Sequence, residues 1–121
     1  MVFVNDGLKN VRKWLAQTGG DPPTVMALGT SGTTATEDDV ALGAEISSTR
    51  EEWDNLVEGD FTIDYEYALA STDGNGLTLR EFGLIDSVSD SLYTRDTFTA
   101  LNKDASKELQ VNLTVKLINE E

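Results

Sequence analysis

Cysteine and histidine are both absent from the 121 residues. Without thiols, disulfide frameworks, thiolate zinc sites and cysteine nucleophiles are excluded. Without imidazole, the commonest general base and the commonest transition-metal ligand are missing too. Bases are scarce: nine Lys and Arg stand against 22 Asp and Glu, for a net charge of −13. Such a surface repels phosphate backbones, because nucleic-acid binding needs clustered cations to displace counterions. No apolar run approaches the roughly 20 residues of a membrane-spanning helix. The opening MVFVNDGLKN has neither the basic nor the apolar region of a signal peptide, so the expectation is a protein made and kept in a cytoplasm.

What is present fits one domain, 1–121, with one hydrophobic core. The acids are dispersed, as on the surface of a folded body, and not massed in a disordered tail. Few lysines among many carboxylates also match the surface bias of proteins from salt-loving hosts. The one basic cluster is Lys9, Arg12 and Lys13, which helical spacing places on one face. That face either meets water or docks an acidic partner.

A helix is expected over 7–18. Asn5 or Asp6 offers a cap, Leu8, Val11 and Leu15 recur at helical spacing with Trp14 beside them, and Gly19-Gly20 ends the pattern. The 24–60 region reads as a buried strand (TVMALG), a loop rich in Gly, Ser and Thr, and short helical turns. The turns are suggested by box-like spacings: Thr36 with Asp39, Ser48 with Glu51 and Thr49 with Glu52.

From Phe61 the period becomes two. Phe61, Ile63, Tyr65, Tyr67 and Leu69 alternate with polar residues, the signature of a half-buried strand. STDGNG, 71–76, carries the Asp-Gly and Asn-Gly of a tight hairpin turn. LTLREFGLID then places Leu77, Leu79 and Ile85 on one face and Phe82 and Leu84 on the other. Two further strands follow, SLYTRDTFTAL and the alternating run Leu109 to Leu117. The region 61–118 is therefore a four-strand antiparallel region. The fold class is mainly β, an antiparallel sheet or β-sandwich with one N-terminal α-helix.

Several patterns invite chemistry and fall short of it. Asp38-Asp39, Glu51-Glu52 and Glu120-Glu121 are paired carboxylates, but acid–base work needs one of them buried in a cleft. STDGNG lacks the spacing and distal Glu of a calcium loop. LGTSGTT has no Lys after its last Gly, unlike a phosphate loop. Arg80 and Glu81 point to opposite sides of their strand, and either has a possible cross-strand partner in Arg95 or Asp96. No catalytic residue, cofactor or metal ligand is assigned, and the protein reads as a non-enzyme.

Taken together, MALGTSGTTATEDDVALGAEI, LREFGLID and LYTRDTFTALNKDASKELQVNLTVKLI resemble, in order, a family of small tailed-virus proteins. The family comprises the domain at the N-terminus of tail-collar fibre proteins and short standalone virion proteins. In it a glycine-containing loop precedes an A-L-x-x-E turn, and an E-x-G-L-F/I-D strand is followed by R-x-x-F and E-L-x-V strands.

The resemblance implies a virion structural protein of a tailed virus, acting through protein contacts in the tail, baseplate or fibre attachment. With the sequence ending at Glu121, it implies an attachment module and not a receptor-binding fibre. The acidity adds a halophilic host. Expected partners are other virion proteins and copies of the same chain in a symmetric homo-oligomer, with no nucleic acid and no membrane. The location is the virion, assembled in host cytoplasm. A capsid decoration, turret or neck protein is the nearby alternative. A carbohydrate- or ligand-binding β-sandwich, with Tyr65, Tyr67 and Tyr93 as a stacking platform, is the distant one. Candidate protein contacts are Lys9, Arg12, Lys13, Trp14, Thr30, Ser31, Thr33 and Trp53.

Overall fold

The computed structural model describes residues 2–118. Seven strands and one helix make a β-sandwich: β1 (Val2–Phe3), α1 (Asn5–Leu15), β2 (Val25–Gly29), β3 (Asn55–Glu58), β4 (Thr62–Leu69), β5 (Thr78–Asp86), β6 (Ser91–Asn102) and β7 (Leu109–Lys116). One antiparallel sheet has the order β1-β6-β5-β2 and the other β3-β4-β7. The four strands of 61–118 thus divide between the two sheets, β5 and β6 in one, β4 and β7 in the other.

The alternation that marks β4 and β7 in the sequence is the inward face of the smaller sheet. Tyr65, Tyr67, Leu69 and Leu113 meet Met26, Leu28, Leu79, Leu84 and Tyr93 of the larger sheet in one buried cluster. A second cluster lies on the far side of the larger sheet, where Ala27, Ile85 and Leu92 pack with Val4 and Leu42. The larger sheet is therefore covered on both faces. All three tyrosines are buried, so the stacking platform envisaged for a carbohydrate is not on the surface.

Strict alternation fails in β5. The pairing with β6 slips between Leu79 and Glu81, where the single β5 residue Arg80 stands against Phe98, Thr99 and Ala100 of β6. Across this irregularity the phase of β5 reverses. Leu79 thus shares the inter-sheet face with Phe82 and Leu84, while Ile85 turns to the outer cluster. The face assignment read from uninterrupted alternation is corrected accordingly.

STDGNG is likewise not a hairpin turn, because the strands it joins lie in different sheets. Its turn chemistry is real: Gly74 and Gly76 take φ of 68° and 83°. The buried Lys103 ammonium fixes the crossing by donating to the Ser71 carbonyl and the Asn75 side chain at 3.2 and 2.9 Å. The hairpin lies further on, where 87–90 join Asp86 to Ser91.

The 37–42 segment forms no helix. Thr36 and Asp39 do bond reciprocally, Thr36 N–H to the Asp39 carboxylate at 2.9 Å and Asp39 N–H to the Thr36 carbonyl at 3.2 Å. Near the second box-like spacing there is a single 3-10 turn, Ser47–Thr49.

The helix starts two residues before its expected Gly7 and ends at Leu15, with Val4 at its N-cap position. Gly7 and Asn10 are its buried residues. A Cβ on Gly7 would lie 2.7 Å from Tyr93 Cα and 2.8 Å from the Tyr93 carbonyl, so glycine lets the helix lie directly on β6. Gly7→Ala must push backbone against backbone. The substitution is expected to lower stability by about 1–3 kcal/mol, the usual cost of overpacking, read as a drop in the thermal midpoint.

Candidate functional site

The most organised polar cluster is built on β5 and β6 under the 30–46 segment. Glu81 is 0 % exposed and Arg95 2 %. Both sit beyond the irregular pairing at Arg80 on the outer side of the larger sheet, where they face each other across the two strands. Arg95 Nε donates to Glu81 Oε1 at 2.9 Å. The remaining capacity of the carboxylate is taken by backbone: Gly43 N–H donates to Oε1 at 2.8 Å, and Ser31 and Ala44 N–H donate to Oε2 at 2.9 and 2.8 Å.

Arg95 Nη1 reaches Asp39 at 3.0 Å, and Asp39 in turn holds Thr36 N–H. Arg80 donates to the Thr30 carbonyl at 3.3 Å. A Cβ on Gly29 would come 2.5 Å from Glu81 Oε2, so the strand before the loop needs glycine to let the carboxylate in.

The charges follow the geometry. Burial alone would raise the Glu81 carboxyl, but the Arg95 guanidinium and the N–H groups of Ser31, Ala44 and Gly43 outweigh it and hold the group below the usual glutamate value. Asp39 is lowered by its bond from Thr36 N–H, with Arg95 adding to the effect against burial. A buried carboxylate with four charge-assisted or backbone donors is satisfied. It ties two ends of a long loop to the sheet, and it offers no open coordination position.

The predicted contact residues fall into three places. Lys9, Arg12 and Lys13 are exposed on α1 together with Trp14. Of the expected core stripe only Val11 packs inward. Leu8, Trp14 and Leu15 are 52 %, 56 % and 77 % exposed, because β6 meets the helix along Gly7 and Asn10, to one side of that stripe. Thr30 and Ser31 belong to the Glu81 and Arg80 clamp through their backbone, with Thr33 exposed beyond them. Trp53 is half-buried, edge-to-face on Tyr65 with ring centroids 4.8 Å apart, at the border of the core.

Further apolar residues stand open where β4 and β7 end. Phe61 is 69 % and Leu117 66 % exposed, side by side through the bond from Leu117 N–H to the Phe61 carbonyl. The period-two run places Phe61 on the buried face, whereas β4 begins only at Thr62 and the ring stands open.

A small cavity of about 100 Å3 lies among Val40, Leu42, Ile85 and Leu92, with Glu45 and Asp90 at its lining. Both carboxylates are occupied by Arg50, at 2.8 and 2.6 Å. Burial pushes the Glu51 carboxyl up, helped by Asp73 and Asp54, but Glu51 is not among the residues lining that cavity. Glu120 and Glu121 lie outside the described residues. Among the described residues no group of three or more acids is placed to hold a metal ion, and no helix is long and apolar enough to cross a membrane. No protein-family model, curated protein or solved structure matches the chain.

The Glu81 cluster makes a pH-dependent prediction. A carboxyl whose folded pKa lies below its unfolded value contributes stability above the unfolded value, and that contribution is lost as pH falls through the folded one. Glu81→Gln leaves Arg95 buried without its main counter-charge and turns an amide N–H2 toward backbone donors. Denaturant titration at neutral pH is expected to show a loss of about 3–5 kcal/mol. The gap between variant and parent should narrow as the medium is acidified below the ordinary carboxylate range.

Proposed function

We propose that the protein is a structural component of a tailed-virus virion, in the tail, baseplate or fibre attachment, and that it works by contact with other virion proteins. The observation that carries this reading is the outer face of α1. Leu8, Trp14 and Leu15 are left uncovered beside Lys9, Arg12 and Lys13, the one basic cluster of a chain with net charge −13. Apolar groups next to charge of the minority sign suit a protein partner with an acidic rim and an apolar centre. The order of segments shared with the tail-collar family supports the same reading. The satisfied state of Glu81, Glu45 and Asp90 agrees with carboxylates used for architecture.

The acidic composition extends the proposal to a virus of a salt-loving host. At about 1 M salt the Debye length is roughly 3 Å. The three cations then act only in direct contact, and most of the affinity rests on the apolar residues.

Purified particles analysed by mass spectrometry should contain the chain. A variant carrying Leu8→Gln and Leu15→Gln should fold with stability within about 0.5 kcal/mol of the parent, as expected of surface changes, and should be lost from the particles. A chain absent from purified particles, or a variant incorporated as well as the parent, contradicts the proposal.

A further inference from the structure

Strand β7 forms one edge of the smaller sheet. It is bonded to β4 alone among the described strands. Leu117 N–H donates to the Phe61 carbonyl at 2.7 Å, and the same register continues from Thr62↔Lys116 to Leu69↔Leu109. Hydrogen-bonded pairs alternate along an antiparallel ladder, so the odd residues Leu109 to Leu117 exchange bonds with β4. The even residues Gln110, Asn112, Thr114 and Lys116 turn their N–H and C=O groups to the open side.

Natural edges are blunted by proline, bulges, inward charges or covering loops. The register of β7 has no slip, the strand has no proline, and its single charge is Lys116. No acid occurs from Leu109 to Ile118, in a chain with 22 of them. Two copies of so acidic a protein repel each other over most of their surfaces, and this edge adds no negative charge of its own to that repulsion.

We propose that β7 pairs antiparallel with β7 of a second copy, about a two-fold axis at Leu113, joining the two three-stranded sheets into one. The register follows from the open groups. Pairing Asn112 with Thr114 of the second copy, and Gln110 with its Lys116, satisfies every outward N–H and C=O of the four residues. A shift of two residues in either direction leaves a terminal residue unpaired.

The same register brings Leu117 beside Leu109 of the second copy on the apolar face, covering a side chain the single chain leaves open. It opposes no two like charges on the polar face. The contact is isologous and closes at two copies, by strand addition. The inference rests on the assembly reading for its use, and its geometry stands apart from it.

Light scattering of the purified chain across a salt series should give twice the monomer mass, with the dimer favoured as salt screens the repulsion between copies. Amide exchange by NMR on that dimer should find Gln110, Asn112, Thr114 and Lys116 as protected as their odd neighbours. Asn112→Pro removes an outward donor while sparing every bond to β4, and should weaken the dimer at least tenfold.

Should proline disturb the strand, a charge pair keeps the test open. Asn112→Lys with Thr114→Lys sets lysines against each other across the axis and should dissociate the dimer. Asn112→Lys with Thr114→Glu should keep it at the same salt. A chain monomeric at every salt and concentration, or a dimer whose even-numbered amides exchange freely, overturns the inference. Particles that contain the chain with those amides open reject β7 pairing and leave the assembly reading standing. A β7 dimer never found in particles does the reverse.

Discussion

One buried ion pair sets the arrangement of everything on the outer side of the larger sheet. Glu81 and Arg95 are stranded away from water between two strands and a long loop, where a lone charge would cost several kcal/mol. The carboxylate is tolerated because Arg95 and three backbone N–H groups surround it. Those N–H groups come from both ends of the 30–46 segment, so satisfying the charge fixes the path of the chain. The loop then carries Leu42 onto Ile85 and Leu92, sealing a face that a two-layer sandwich leaves to solvent. A buried pair of this kind is weak support for net stability, since well-packed apolar residues often do as well. Its contribution is to specify one loop path among many.

The remaining buried charges act in the same way. Lys103 holds the crossing between the sheets through carbonyl and amide acceptors, and Asp86 accepts from Val88 N–H and the Ser89 hydroxyl in the β5–β6 turn. Arg50 joins Glu45 to Asp90 at the loop's far end. With these groups paired, three features stand open among the described residues: the apolar and basic flank of α1, the apolar Phe61 and Leu117 corner, and the hydrogen-bonding edge of β7. Such features are suited to contacts between chains.

Much of the fold was legible because the physics is local. Period-two alternation in β4 and β7 marks one buried face, and no other element type reproduces it. The conformational signal of Gly74 and Gly76 was also legible, although which strands they connect was not, since a turn sequence carries no information about sheet membership. β1 and β3 were missed. Two residues are too few for a period, and Asn55, Val57 and Glu58 of β3 all face water. The face assignment in β5 failed at Arg80, where the pairing with β6 is irregular, and nothing in that side chain announces it.

The site was half visible. Of the two cross-strand partners offered by strand geometry, Arg95 or Asp96, Glu81 takes Arg95, but Arg80 and Glu81 both reach the 30–31 backbone in place of serving opposite sides, and a charged residue in a strand reads by default as facing water. The full burial of Glu81 depends on the close approach allowed by Gly29 and on backbone donors 37 to 50 residues away in sequence. Carbon-detected NMR titration of the Glu81 side chain tests this account most directly. The prediction is a carboxyl that stays ionised below the ordinary glutamate range and takes up its proton together with loss of the Ser31, Gly43 and Ala44 amide positions. A Glu81 that titrates at the ordinary value while those amides stay in place would contradict it.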